Sequence, residues 1–415
     1  QGAALVVGET LQEREDLIDD ARRQPHGDLV EEDEPGGTDV GPGQGEHLLL
    51  AAAHRAGRLV DPLPQARKGI DRPGDMDVLC KIAPPDVAVF TAVSPVHAEY
   101  FESIEALAHE KAAIVRRLRP GGVAIVNGDD PLVMAATFPS PSKGEGQGEV
   151  FGGLSATTYG FSENLDVRAE NFHVETMTTP NPSLSRRGDT VDHDNPFCEI
   201  HFELVIGDDR AEVVLPNLLG RGQVYAALAA AAVGRHFKMP LSEIAVALRT
   251  LQPQAGRMRP LPGIKETLIL DDSYNAAPAS MVSAIEVLRD FSPDEGARRI
   301  AGLGKMAELG RYSENEHRLL GMRAAEVADV LVCVGEESRD TRRGAIEAGM
   351  DERNVESFKT SVEAGRWLDF NVKKGDVVLV KGSQSARMER AVKDVMAEPM
   401  RAEELLVRQY GAWIS

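Results

Sequence analysis

Leu268-Ile-Leu-Asp-Asp-Ser-Tyr-Asn-Ala-Ala-Pro-Ala-Ser-Met281 is an apolar run that ends in two carboxylates, turns, and starts again with helical spacing. Ile269 and Leu270 with their apolar neighbours predict a short buried strand. Pro278 suits the first turn of a helix, where the amide it lacks would be unpaired anyway. Met281, Ala284, Ile285 and Leu288 then recur at helical steps. The stretch therefore reads as strand, loop, helix. In a parallel α/β sheet, ligands sit outside the carboxyl ends of strands, so Asp271, Asp272, Ser273, Tyr274 and Asn275 stand where a site would be. The plain alternative is a capped loop between strand and helix, since Asp and Ser are common caps.

Working outward, 415 residues with 42% hydrophobic and 27% charged side chains suffice for two or three cores of ordinary domain size. A formal net charge of −20 argues against a nucleic-acid partner, which needs a basic surface, and against adhesion to anionic membranes. No apolar run approaches a membrane span; the longest candidate, Ala226 to Val233, is alanine-rich and helical. Nothing at the start reads as a secretory signal. Cys80, Cys198 and Cys333 lie far apart beside apolar residues. They read as reduced core thiols of a cytoplasmic protein rather than a disulfide framework or a metal set.

The chain opens on Gln1, and Ala3 to Val7 has the look of a strand already under way, as in a fragment. Residues 1–68 stand apart as a remnant, of which about Leu11 to Lys68 hold few apolar residues in any period apart from Leu48 to Ala53, and loose order is expected there. From Gly69 onward the pattern is coherent. Asp86 to Val93 predicts a strand ending at Ser94-Pro-Val-His97. Ile104 to Leu118 predicts a helix, Val123 to Val126 the next strand, running into Asn127-Gly-Asp-Asp130. Strand, helix, strand implies parallel pairing. Two Pro, Gly and Ser-rich stretches, Pro139 to Glu149 and Pro180 to Gly188, read as insertions at loop tips. Strands are expected at Phe197 to Ile206, Ala211 to Leu215, Ile300 onward, Val330 to Val334 and Val377 to Val380, with a long alanine-rich helix entered after Leu218-Leu-Gly220. The expected fold is α/β, with a central domain over 69–253 and a C-terminal domain with a mainly parallel, Rossmann-like sheet over 254–415.

The wording Asp-Asp-Ser-Tyr-Asn-Ala-Ala-Pro-Ala-Ser-Met resembles the signature that opens the C-terminal domain of the Mur ligases. Within that family it is most similar to the members that add D-alanyl-D-alanine to UDP-N-acetylmuramoyl tripeptide. The resemblance covers roughly Gly69 to Ser415. It implies a cytoplasmic, monomeric ATP-dependent ligase of peptidoglycan precursor synthesis, using ATP and Mg2+. The ATP γ-phosphate goes to the substrate carboxylate, and the acyl phosphate is attacked by the amine of D-alanyl-D-alanine.

By the same resemblance His97 is a metal-binding histidine and Lys111 the lysine that is carbamylated to hold Mg2+. Taken alone, His97 would more often be an ordinary core or loop histidine and Lys111 a solvated helix residue. Asn127, Asp129 and Asp130 would lie beside the nucleotide, as would Asp271, Asp272, Tyr274 and Asn275. Arg257, in Gln254-Ala-Gly-Arg-Met258, would reach the ATP phosphates, where a planar fork binds two oxygens; without the family it is an exposed linker arginine. Lys381 and Ser383 would contact substrate, in a loop opening a helix whose free amides suit a carboxylate.

Several positions depart from the family. No Gly-x-x-Gly-Lys-Thr phosphate loop occurs anywhere in the chain, and Gly41-Pro-Gly-Gln-Gly45 lacks the lysine and the following Ser or Thr. Arg67 stands where a metal-binding glutamate is expected, Gly222 where the family has His, and Lys305 where it has Asp. A shifted reading frame over Leu11 to Lys68 is one reading of the first departure. Two other functions stay open: a non-catalytic remnant of such a ligase, and a folylpolyglutamate-type ligase, against which the Asp-Asp-Ser-Tyr-Asn wording speaks.

Overall fold

The computed structural model describes residues 4–7, 72–93, 101–138, 155–176, 197–293, 295–410 and 413. The stretch from 8 to 71 with Gly41-Pro-Gly-Gln-Gly45 and Arg67, His97, and the two insertions lie outside the described residues. Those described fall into two compact units, one up to Leu165 and one from Asp166 onward.

The first unit carries four parallel strands in sequence order, β1 (Ala4–Val7), β2 (Val87–Phe90), β3 (Val123–Asn127) and β4 (Ser155–Gly160). Between them run α1 (Asp75–Ile82), α2 (Ile104–Arg116) and α3 (Pro131–Thr137). β2 and β3 are buried along their whole length, the signature of a parallel sheet covered on both faces. Ser103 caps α2 by accepting from Ala106 N–H at 3.2 Å. The α2 residues Ala112, Ala113, Ile114 and Val115 pack with Phe90, Val126 and Val133 into this unit's core.

The second unit begins with an antiparallel meander, β5 (Val167–Thr176), β6 (Cys198–Ile206) and β7 (Asp209–Pro216), followed by α4 (Arg221–His236) and α5 (Leu241–Leu248). Next come β8 (Arg259–Pro262), β9 (Leu268–Asp272), α6 (Pro278–Asp290), β10 (Arg299–Gly304), α7 (Ser313–Ala325), β11 (Val330–Val334) and α8 (Ser338–Glu347). β12 (Val355–Phe358), α9 (Ser361–Asn371), β13 (Val377–Lys381), α10 (Glu389–Val395) and α11 (Ala402–Leu405) complete it. These later strands form a six-stranded sheet in the order β12-β11-β10-β13-β9-β8, parallel except for the β8–β9 pair.

Alternate residues of each parallel strand feed two cores. Leu268, Leu270, Leu331, Cys333 and Leu379 meet Met281, Leu288 and Leu320 on one face, while Ile269, Val330, Val332, Val378 and Val380 meet Leu368 and Val392 on the other. The first of these cores also takes in Phe197, Cys198 and Leu219 from the meander side. Helices α7 and α8 touch backbone to backbone. A Cβ on Gly321 would lie 1.9 Å from Thr341 O, and one on Gly344 1.9 Å from Arg318 O. The α/β expectation and the strand positions are borne out. All three cysteines are buried free thiols, and burial pushes Cys80 up to about 11 and Cys333 to about 12, which keeps them unreactive. Among the described residues no helix is long and apolar enough to cross a membrane.

Candidate functional site

β9 runs on into the two carboxylates. Asp271 and Asp272 were expected in the loop, yet they are the last residues of the strand, opposite Val380 and Lys381 of β13. The backbone ladder with β13 extends through both of them. Strand alternation sends the two side chains to opposite faces.

Asp271 is fully buried and accepts from Gly256 N–H at 3.1 Å and Ser273 N–H at 3.2 Å. Burial pushes its carboxyl up to about 6, against those hydrogen bonds, which pull it down. Asp272, 8% exposed, accepts from Met258 N–H at 3.1 Å and from Lys381 Nζ at 2.7 Å. Lys381, 3% exposed, also donates to Asn275 O at 2.9 Å. Both carboxylates thus grip the segment Gln254–Met258. Gly256 supports this with a φ of +66°, a conformation other residues resist, and its carbonyl accepts from Tyr274 N–H at 3.0 Å. The Arg257 guanidinium lies 4.1 Å from the Tyr274 ring centroid, a cation–π stack. Asn275 is exposed, with its Oδ1 accepting from Ala276 N–H at 2.8 Å. α6 then starts at Pro278, and Ser280 Oγ accepts from Ala277 N–H at 3.0 Å.

Ser383 is buried. Its N–H donates to Lys305 O at 2.9 Å, and its hydroxyl lies 3.3 Å from that of Ser385. The loop expected over Lys381 to Met388 does open a helix, but the amides around its entry are not free. A 3-10 turn covers Gln384–Ala386, Arg387 is left-handed, and α10 opens only at Glu389. The Ser383, Ala386 and Arg387 amides are already bonded to the carbonyls of Lys305, Ser383 and Gln384.

Two side chains that no local pattern marked complete this cluster. Arg408, buried, donates to Ser273 O at 3.1 Å, to Tyr274 O, and to Glu389 Oε2 at 3.2 Å. Glu389 in turn accepts from Arg387 Nε at 2.5 Å. Arg408 stands 134 residues from Tyr274 along the chain, beyond the reach of any spacing argument. His317 is likewise buried, with Nε2 accepting from Met306 N–H at 2.9 Å and Nδ1 2.8 Å from Ser313 O. It fixes the loop that leaves β10.

The remaining expected residues belong to the first unit. Asn127 ends β3; its Nδ2 donates to Thr91 O at 2.9 Å and its Oδ1 accepts from Asp129 N–H at 3.0 Å. Asp129 accepts from Phe161 N–H at 2.5 Å and from the Ser162 hydroxyl at 2.5 Å. Asp130 caps α3 through Leu132 and Val133 N–H and accepts from Val93 N–H at 3.0 Å. These three side chains hold the β3 loop in shape. Lys111 is 6% exposed, on the core-facing stripe of α2 with Leu107, Ile114 and Val115, and so is no solvated helix lysine.

The chain matches the family model described as Mur ligase middle domain over residues 69–234, and that described as Mur ligase, glutamate ligase domain, over residues 256–384. It is 27% identical to the UDP-N-acetylmuramoyl-tripeptide–D-alanyl-D-alanine ligase of Bacillus subtilis, covering 80% of this chain and 64% of that one. Against the enzyme of the same name from Mycobacterium leprae the identity is 31%, covering 78% and 61%. Among solved structures, the MurF ligase of Thermotoga maritima in complex with ADP aligns with a TM-score of 0.61 at 26% identity, over 79% of this chain and 65% of that one. The chain therefore spans less than two thirds of these relatives. It belongs to the Mur ligase family, of which it carries the middle domain and the glutamate ligase domain.

Proposed function

We propose that the chain holds the nucleotide half of a ligation that joins D-alanyl-D-alanine to UDP-N-acetylmuramoyl tripeptide, and that it does not complete the reaction on its own. The observation that carries this is the Tyr274 ring stacked under Arg257 at the end of β9, with its loop fixed by Asp272, Lys381 and Arg408. Two relatives bear the name of that ligase, and a solved neighbour carries ADP.

In this reading Tyr274 and Asn275 receive the base and ribose, and Arg257 turns its fork to phosphate oxygens. Lys381 is a positioning residue, since Asp272 and Asn275 already occupy its ammonium. Ser383 borders the acceptor substrate. The fit of the residues to ATP is partial: the chain has no Gly-Lys-Thr loop to wrap the β- and γ-phosphates. The remnant reading rests on that same absence. Lys111 fits a Mg2+ ligand, because a buried ammonium is costly and a carbamate supplies the oxygen donor this ion prefers. His97 would join it. Bound ATP and Mg2+ would supply the activated phosphoryl group and its charge neutralisation.

A fluorescent ADP analogue titrated into the chain tests the proposal, together with phosphate release in the presence of ATP, Mg2+ and both substrates. Weak binding that disappears in Tyr274→Ala, with phosphate release at background, is expected. Binding indifferent to Tyr274→Ala removes the site, and substrate-dependent release at the rate of intact relatives removes the claim of incompleteness.

A further inference from the structure

The β5–β6 ladder carries a second cluster of ligating side chains that the ligase reading does not use. His173 stands opposite His201, and Glu175 opposite Glu199, in direct cross-strand register. The pairing depends on a bulge. Glu170 faces Glu203, but three steps on, His173 faces His201 because β5 has one extra residue, and Asn171 takes a φ of +56° there. Without that residue His173 would stand opposite Ile200, a core position. The bulge thus turns His173 and Glu175 onto the face of His201 and Glu199, the kind of re-aiming for which bulges are used.

The ligand atoms converge. His201 Nε2 lies 3.2 Å from Glu199 Oε2 and 3.9 Å from Glu175 Oε2, and His173 Nε2 lies 3.8 Å from Glu175 Oε1. Donors at ~2.0–2.2 Å from one ion stand roughly 3.3 Å apart in a tetrahedron, a separation that His201 Nε2 and Glu199 Oε2 already show. Ligand atoms of Glu175, Glu199 and His201 all lie within 4.8 Å of one another. The His173 and His201 rings stack with centroids 5.0 Å apart and a 12° tilt, so His173 stands beside this group of three. His173 Nδ1 is 3.1 Å from Asn171 O. That carbonyl only accepts, so Nδ1 carries a proton and Nε2 is the ring atom turned toward the Glu175 carboxylate.

Charge makes the same point. Two glutamates directly opposite on neighbouring strands repel. The other such pair on this ladder, Glu170 and Glu203, is bridged by Arg210 at 2.7 and 2.8 Å. Among the described residues, the partners of the Glu175–Glu199 pair are the two histidines. We propose that Glu175, Glu199 and His201, with the neighbouring His173 drawn in as fourth donor when an ion binds, form a site for a divalent transition-metal ion, with Zn2+ the best fit, that ties the end of β5 to the start of β6. Two imidazoles and two carboxylates neutralise a dication and favour Zn2+ over the all-oxygen ions Mg2+ and Ca2+.

The test uses the full chain, stripped with EDTA and dialysed, then titrated with ZnCl2 against a chromophoric chelator. CoCl2 serves as a spectroscopic probe of four-coordination. One equivalent of Zn2+ is expected, with visible Co2+ d–d absorption. Affinity should fall by at least about tenfold in both His201→Gln and Glu175→Gln, and remain unchanged in His236→Gln, an exposed histidine on α4. The Glu175 side chain is 65% exposed, so its variant folds whatever becomes of the other. Absence of binding, retention of wild-type affinity in either site variant, or displacement of Zn2+ by equimolar Mg2+ overturns the proposal.

Discussion

Lys381→Met isolates the buried ion pair on which the β9 loop rests. The substitution keeps the length of the stem and deletes the charge. Asp272 then keeps one hydrogen bond, from Met258 N–H, and the Asn275 carbonyl loses its donor. With both partners almost fully buried, the carboxylate cannot recover its solvation where it stands. Removing one member of such a pair costs about 3–5 kcal/mol. For a unit of this size, where each kcal/mol is worth roughly 2–4 °C, the transition should fall by about 10 °C. Asp272→Asn alone strands the ammonium and should cost a similar amount. The double variant removes both charges and should lose only about 1–2 kcal/mol, chiefly the hydrogen bonds. Urea unfolding at neutral pH, followed by circular dichroism across the four proteins, measures the coupling. The two single losses less that of the double variant give an expected coupling of about 6 kcal/mol. A loss below ~1 kcal/mol in Lys381→Met, or simple additivity in the double variant, would mean that water or a neighbour compensates the charge and that the pair does not fix the loop.

Asp271 should make stability pH-dependent in the opposite sense to an ordinary carboxylate. Its proton is held more tightly in the native state, up to about 6 against the ordinary 3.8, so its contribution is full below about pH 4 and lost as pH rises through 6. That amounts to roughly 3 kcal/mol; pH-resolved unfolding of Asp271→Asn should lack the slope, and an identical slope refutes the assignment. Gly321→Ala forces a methyl into the Thr341 carbonyl and should cost about 3 kcal/mol or more, read as a lowered calorimetric transition; an unchanged transition would show that α7 and α8 separate freely. Carbon-13 bicarbonate with Mg2+ should give a carbamate resonance in NMR that Lys111→Ala abolishes, and a signal surviving that substitution would assign it to another amine.

Much of the fold was legible because the strands of a sheet covered on both faces are continuous apolar runs. Val330 to Val334 and Val377 to Val380 could be read without any partner in view. Pro278 marked the start of α6 by chemistry local to one peptide unit. The Asp271–Asn275 wording likewise identified the family, since the motif is contiguous. Less legible was the exact end of β9: polar side chains suggested a loop, but hydrogen bonding to β13 kept Asp271 and Asp272 in the strand. The loop from Lys381 to Met388 and the helix after it were readable, but the 3-10 turn inside that loop and the Ser383 N–H bond to Lys305 O depend on β10 lying beside β13.

The sequence by itself determined the succession of strands and helices, the motif and its family, and the absence of a phosphate loop. All of these reside in neighbouring residues, where periodicity and single-residue preferences act. Only the tertiary structure decided that the last strand, β13, inserts between β10 and β9, which brings Lys381 to Asp272 across 109 residues. The same holds for Arg408 reaching back to the Tyr274 loop and for the bulge that sets His173 beside His201. Such contacts depend on strand order and register, which are fixed when two faces of a sheet are buried at once. A one-residue change of register would turn every side chain of a strand to the other face, a choice that packing makes and local composition does not record.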